Sequence, residues 1–290
     1  MVRARLEKLI AHFLPGGLRL AGILVFCLVY TCIVCLIDLH AIPTTQTFQA
    51  TTALSLSAVF VLLLIFRNNS AYERWWEARK LWGQLVNDSR NLAIKLQAYG
   101  NDIPQSERST FAELIARFAE SLKLQLRNDS AHELASDLYV PSLSHIPAAI
   151  SSQVYAKVKE WRIRGLLTDF EQLQLDIHAK AFMDICGGTE RILNSPIAPS
   201  YKLLLWVGLL INIVCLPWLL APILHWGTIP MMLAGCYLTV GLEMLAEEIE
   251  RPFDDSVNDL PLDQICINIR KSVFEILEQP TQADPLEIHA

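Results

Sequence analysis

Charge is what this sequence has least of: only 19% of its 290 residues are Asp, Glu, Lys or Arg, against about a quarter in an ordinary soluble domain. Together with 52% hydrophobic residues, that deficit excludes a disordered or solvating chain. Basic residues are outnumbered, 24 against 30 acidic ones, and the net charge of -6 excludes the basic face that a nucleic-acid binder needs to displace counterions. The nucleotide and zinc signatures GxGxxG, Walker loop and HExxH are missing, and the seven His are scattered with no i, i+4 pair. A disulfide framework is also excluded. The Cys count of 7 is odd, and Cys27, Cys32, Cys35, Cys215 and Cys236 fall in the most apolar stretches, where they act as small hydrophobes. Cys32 and Cys35 have redox-motif spacing but lack the βαβ surroundings of one. No nucleophile, base and orienting group fall together, so neither an enzyme nor a cofactor or metal is expected.

What is present is apolar sequence in blocks. Leu20 to Ile37, Phe48 to Phe66, Leu203 to Leu224 and Ile229 to Ala246 are each close to the length that crosses a bilayer, which takes about 20 residues. They form two pairs. The connections within each pair, His40 to Thr47 and His225 to Thr228, carry no Lys or Arg. Basic residues gather at Arg3, Arg5, Lys8 and Arg19, at Arg67, Arg74, Arg79 and Lys80, and at Lys202. The positive-inside rule then puts both termini and the middle of the chain in the cytoplasm. The third and fourth runs are Pro-rich, which leaves a re-entrant pair open. Residues 1–18 place Leu6, Leu9, Ile10, Phe13 and Leu14 to one side and Arg3, Lys8 and His12 to another, which predicts a helix lying in the interface.

The expected organisation is an interfacial helix over 1–18, transmembrane helices over 19–66 and 201–246, a helical cytoplasmic region over 67–200, and a cytoplasmic segment over 247–290. Within the cytoplasmic region, periodicity predicts helices at Ser70 to Tyr99, Ser106 to Leu126, Ala131 to Leu138, Ala148 to Arg164 and Asp169 to Asn194. Asp254-Asp255-Ser256-Val257-Asn258-Asp259 opens like an EF-hand loop, but Asp259 stands where the turn needs Gly and Ile265 where a bidentate Glu belongs.

Glu243 is the only acidic or basic residue inside the four runs, whereas a proton-coupled transporter places such groups at mid-membrane. A protomer with so apolar an interior encloses no hydrophilic path alone. Any ion path therefore lies on an axis between copies. On the second run, helical spacing aligns Thr52, Leu56 and Phe60, hydroxyl first and bulky apolar last. Rings of such residues gate by wetting and dewetting. Any apolar helix offers a stripe of this kind, so periodicity alone does not assign it.

Three motifs in order carry a resemblance. They are Phe66-Arg67-Asn68-Asn69-Ser70-Ala71-Tyr72-Glu73-Arg74-Trp75-Trp76-Glu77-Ala78-Arg79, then Gly187-Gly188-Thr189-Glu190-Arg191-Ile192-Leu193-Asn194-Ser195-Pro196-Ile197-Ala198-Pro199, then Glu247-Glu248-Ile249-Glu250-Arg251-Pro252-Phe253 with Asn258-Asp259-Leu260-Pro261. With the four-run layout, the chain resembles the bacterial bestrophins. The resemblance implies an all-α membrane protein with four transmembrane helices per protomer continuous with a helical cytoplasmic domain. It implies a homopentamer around a central pore in a bacterial inner membrane, passing small inorganic ions without a cofactor. It puts the pore neck at Thr52, Leu56 and Phe60, and a cytosolic aperture at Phe170. A one-residue slip would select Thr51, Ser55 and Val59, a set with too little bulk.

Arg67, Asn68, Asn69, Trp75, Glu77, Glu190, Arg191, Pro196 and Pro199 are expected to be structural. Arg67 would cap the second span and pair with a carboxylate, and Glu190 with Arg191 would form an ion pair between helices. Ser256 and Arg251 interrupt the segment that serves as a calcium clasp in animal relatives, so no metal is assigned. The rival reading is a non-conducting membrane scaffold or accessory subunit that binds a cytoplasmic partner.

Overall fold

The structure, a computed structural model, describes the backbone of residues 2–38, 46–128, 145–256 and 258–278, with side chains from 17 in the first stretch and from 57 in the second. The helix expected at 131–138 lies outside these residues. Among the described residues the fold is all-helical. Its helices are α1 (Val2–Asp38), α2 (Gln46–Tyr99), α3 (Gln105–Leu126), α4 (Ile146–Ile163), α5 (Asp169–Asn194), α6 (Pro199–Leu224), α7 (Thr228–Ile249) and α8 (Leu262–Leu277), with a single 3-10 turn at His225–Gly227.

Three features differ from expectation. The interfacial segment and the first apolar run form one helix of 37 residues. The second apolar run does not stop at Arg67 but continues to Tyr99 in a helix of 54 residues. The third is α8, whose buried Leu262, Ile265, Cys266, Ile269, Val273 and Leu277 follow helical spacing that was readable in the sequence.

The chain divides into two compact units, residues 1–75 with 196–259 and residues 76–195 with 260–290. In the first, α1, the start of α2, α6 and α7 pack around Cys27, Phe60, Leu64, Leu209, Ile213, Met232, Cys236 and Val240. Pro217 and Pro222 lie inside α6 without ending it. In apolar surroundings a backbone has few alternatives to helical hydrogen bonds, so such residues are tolerated. A Cβ on Gly208 would come within 2.9 Å of the Phe60 ring, so the absence of a side chain there lets α6 seat against α2. Ser57 Oγ donates to Asn212 Oδ1 at 3.0 Å across the same pair of helices.

These helices bury narrow lines of residues and leave apolar ones outside. α6 buries Leu205, Leu209, Ile213, Pro217 and Ala221, each four residues from the next. Leu203, Leu204, Leu210, Trp218 and Ile223 remain exposed. Among the described residues, two stretches, Gly17–Asp38 and Pro199–Ile249, are long and apolar enough to cross a membrane.

The second unit is a helical bundle with a buried apolar core. α3 packs against α8, α4 and α5, with Phe118 stacked on Phe182 at 4.8 Å and Phe111 against Trp161 at 5.1 Å. Its polar face carries Glu113, which accepts from Arg270 of α8 at 2.5 Å.

Candidate functional site

Phe60 is 5% exposed and belongs to the core of its own protomer. A side chain that lines a path shared between copies must point out of its own copy. Phe60 thus faces the interior of its own protomer and not outward, as the expected register would require. Thr52 and Leu56 stand on α2, with side chains outside the described residues. The face opposite Phe60 presents Ala58, Leu62 and Phe66, spaced i, i+4, i+8, with Leu62 51% and Phe66 55% exposed. Bulk therefore increases toward Arg67 along an unpartnered face. Sequence reasoning missed it because the period was read without the phase. The second run is apolar on all sides, and only packing tells its inner face from its outer one.

Just beyond Phe66, Arg67 turns inward and is fully buried. Its Nη2 donates to Glu250 Oε2 at 2.7 Å, and its Nε lies 3.5 Å from Glu243 Oε1. Lys202 Nζ reaches the same Glu250 oxygen at 2.8 Å, and the Ile197 N–H donates to Glu250 Oε1 at 3.2 Å. Burial raises the Glu250 carboxyl, but Lys202, Arg67 and the Ile197 N–H outweigh it and hold the group below the usual carboxylate range. One carboxylate thus ties the end of the apolar part of α2 to the segment that enters α6. Pro196 precedes that contact and Pro199 opens α6.

Around it, Asn68 Nδ2 donates to Leu64 O at 3.0 Å, Tyr201 OH to Leu63 O at 3.1 Å and Trp75 Nε1 to Asn258 O at 3.1 Å. Asn69 is exposed. In the turn after α7, the Ser256 N–H donates to Asp259 Oδ2 at 2.6 Å. Burial, with Asp254 and Glu248 nearby, pushes the Asp259 carboxyl up to about 6.

In the second unit, Phe170 is 82% exposed in the first turn of α5. That turn is fixed. Thr168 Oγ1 accepts from the Glu171 N–H at 3.3 Å, Glu171 Oε2 accepts from the Thr168 N–H at 2.7 Å, and Arg162 Nε donates to Asp169 Oδ1 at 2.6 Å. Leu173 and Ile177 continue the exposed apolar face at i+3 and i+7. Their spacing was legible in the sequence, although only Phe170 was singled out.

Glu190 and Arg191 do not pair with each other, because neighbours in a helix point about 100° apart. Arg191 Nη2 donates to Glu77, while Glu190 Oε1 accepts from His145 Nε2 at 2.7 Å and from Gln125 Nε2. His145, Cys186 and Glu190 bring three metal-type ligand atoms within 4.8 Å of one another. Their hydrogen bonds are already assigned, however. The Ala148 N–H donates to His145 Nδ1 at 3.1 Å, which leaves the ring proton on Nε2, facing Glu190. Burial and the Glu190 charge push the Cys186 thiol up to about 12. The cluster is a hydrogen-bonded joint between α3, α4 and α5.

A family profile described as bacterial/fungal bestrophin protein matches residues 17–275. The voltage-dependent anion channel-forming protein YneE of Escherichia coli is 34% identical over 232 residues, covering 77% of this chain and 75% of that one. The voltage-dependent anion channel-forming protein sll1024 of Synechocystis is 31% identical over 235 residues, covering 77% and 76%. The crystal structure of a bacterial bestrophin homologue from Klebsiella pneumoniae superposes with a TM-score of 0.80 at 24% identity, covering 88% of this chain and 97% of that chain.

Proposed function

The chain belongs to the bacterial/fungal bestrophin family and is a membrane protein, and on that premise we propose that it is an ion channel whose pore is shared by five copies. The observation that carries this reading is the outward apolar face of α2, where Ala58, Leu62 and Phe66 stand exposed among the described residues. Repeated around an axis, these residues form stacked apolar rings that narrow toward Phe66. A constriction of this kind holds back water and ions until it widens.

Four crossings, with both termini cytoplasmic, put the Arg67 end of this neck on the cytoplasmic side. The neck has no charge, so it selects by size and dehydration cost, and it admits small monovalent ions. The relatives above are named for anion channels, and the same class of activity is assigned here. Phe170 is the second constriction, at the cytosolic exit, with Leu173 and Ile177 lining the same wall.

Planar-bilayer recording of the purified protein tests the reading. Phe66→Ala and Leu62→Ala should each raise conductance or abolish closure, with particles of five-fold symmetry in images of the same sample. Unchanged currents in both variants would remove this face from the pore, and a lone copy without a central opening would remove the channel.

A further inference from the structure

The membrane unit contains a cleft of about 620 Å³ between Gly17 and Leu20 in the middle of α1 and the end of α7, within the size range of small-molecule sites. Its walls are Leu20, Leu238, Leu242 and Leu245, and the last three share one exposed face of α7. Gly17 and Gly241 lie in the cleft, and a Cβ on either would meet nothing within 4 Å, so the space reaches the backbone itself. The mouth differs in character. It is formed by Glu247, Glu248, Arg251 and Asp254, which begin where the apolar stretch Pro199–Ile249 ends.

The charges at the mouth are specific. Three carboxylates and the Arg251 guanidinium line it. Arg251 is exposed, and among the described residues it makes no ion pair. Glu247 has only a loose, half-exposed partner, Arg19 at 3.7 Å. An apolar slot that opens at the membrane boundary onto a cation beside several carboxylates matches an amphiphile with a zwitterionic head.

We propose that this cleft binds a phospholipid with a primary-amine headgroup, of the phosphatidylethanolamine class. An acyl chain lies along Leu238, Leu242 and Leu245. Arg251 takes the phosphate, and Glu247 with Asp254 takes the ammonium through charge-assisted hydrogen bonds. A quaternary ammonium has no N–H to donate to these carboxylates. A phosphatidylglycerol head brings net negative charge to a mouth already rich in it. The site therefore discriminates by headgroup as well as by apolar burial.

The test is native mass spectrometry of the full-length protein released from detergent, with phosphatidylethanolamine, phosphatidylcholine and phosphatidylglycerol supplied at equal concentration. The expected result is retention of the amine lipid about tenfold over either competitor. Glu247→Gln with Asp254→Asn should abolish that preference, Arg251→Gln, which removes the partner of a phosphate common to the three lipids, should lower retention of all of them, and so should Gly241→Leu, which fills the slot. Equal retention of the three lipids by the unaltered protein means only annular lipid and overturns the proposal. So does a Gly241→Leu protein that keeps its lipid, or one that loses subunits instead, since a second copy then occupies the cleft. If Gly241→Leu fails to fold, Glu247→Gln with Asp254→Asn at the rim decides, and an unchanged preference for the amine lipid in that variant overturns the proposal. Lipid retention is read independently of current, so the channel reading and this site fail separately.

Discussion

The two units solve opposite problems with the same helix geometry. In the second, α3 hides Phe111, Ile115, Phe118 and Leu122 and turns Glu113 and Glu120 outward toward Arg270. That is the arrangement water enforces. In the first, α6 hides one residue in four and leaves its leucines outside, while the fully buried side chain at the centre of the ion-pair cluster is an arginine. With apolar solvent on the outside, burying a leucine between helices gains little, and close packing and paired polar groups hold the helices together instead. Exposed apolar surface thus marks a face for lipid or for another copy in the first unit, and is unexpected in the second. Conversely, a buried charge is informative in the first.

The sharpest break of this comparison is at Arg67. Arg67→Met leaves Glu250 and Glu243, 2% and 4% exposed, without their shared counter-charge, and removing one partner of a buried pair costs about 3–5 kcal/mol. The expected outcome is loss of the folded protein, or a large drop in melting temperature read by size-exclusion chromatography after heating in detergent. Arg164→Ala in the second unit, which breaks an exposed arginine's pair with Glu107, should change the same readout by less than about 1 kcal/mol.

Next in size is the contrast between the two phenylalanines of α2. Phe60→Ala opens a cavity against Gly208, Leu209 and Met232 and should lower stability by about 3 kcal/mol. Phe66→Ala removes an exposed ring and should leave the melting temperature nearly unchanged while altering conductance. If the effects are reversed, with Phe60→Ala changing current at full stability, the phase read from burial is wrong and the sequence register stands.

That pair of residues also shows where sequence reasoning reached its limit. Helix identity was largely legible, because capping residues, Pro and Gly punctuate it: α5 was expected at the bounds it has, Asp169 to Asn194. Continuity was less so. Arg67-Asn68-Asn69 looks like a stop when read as exposed polar residues, yet Arg67 is paired inside with Glu250, and the helix runs on. Phase was not legible at all in the second apolar run, since an all-round apolar helix has no polar face to mark its outside. The partners of Glu190 and Arg191 were out of reach for another reason. They come from Gln125, His145 and Glu77, residues far away in sequence.

A third prediction concerns the acidic turn. Asp259 is buried with its carboxyl pushed up to about 6, so the folded state holds its proton more tightly than the unfolded chain does. The resulting stability is present in acid and is lost as pH rises from the ordinary carboxylate range through about 6. Asp259→Asn keeps an acceptor for the Ser256 N–H and removes the buried charge. Above pH 7 the variant should be more stable by roughly 1–3 kcal/mol, with a flatter pH dependence of melting. An unchanged slope would mean that the carboxylate is already compensated.

The smallest expected effect on stability is at Thr168. Thr168→Ala removes the hydroxyl that accepts from the Glu171 N–H, at a cost of about 1 kcal/mol, and Arg162 with Asp169 still holds the turn. In a water-exposed helix a change this small leaves the fold intact. Phe170, however, rides on the turn that this hydroxyl helps to fix, and its ring is 82% exposed, so a looser turn frees the ring before it touches the core. If Phe170 lines the exit, Thr168→Ala should change current rectification or open-channel noise far more than it changes melting, whereas Lys180→Ala, an exposed substitution on the same helix, should change neither. Identical currents in the Thr168 and Lys180 variants would assign the exposed stripe of Phe170, Leu173 and Ile177 to contact with another surface, and the exit to a different segment.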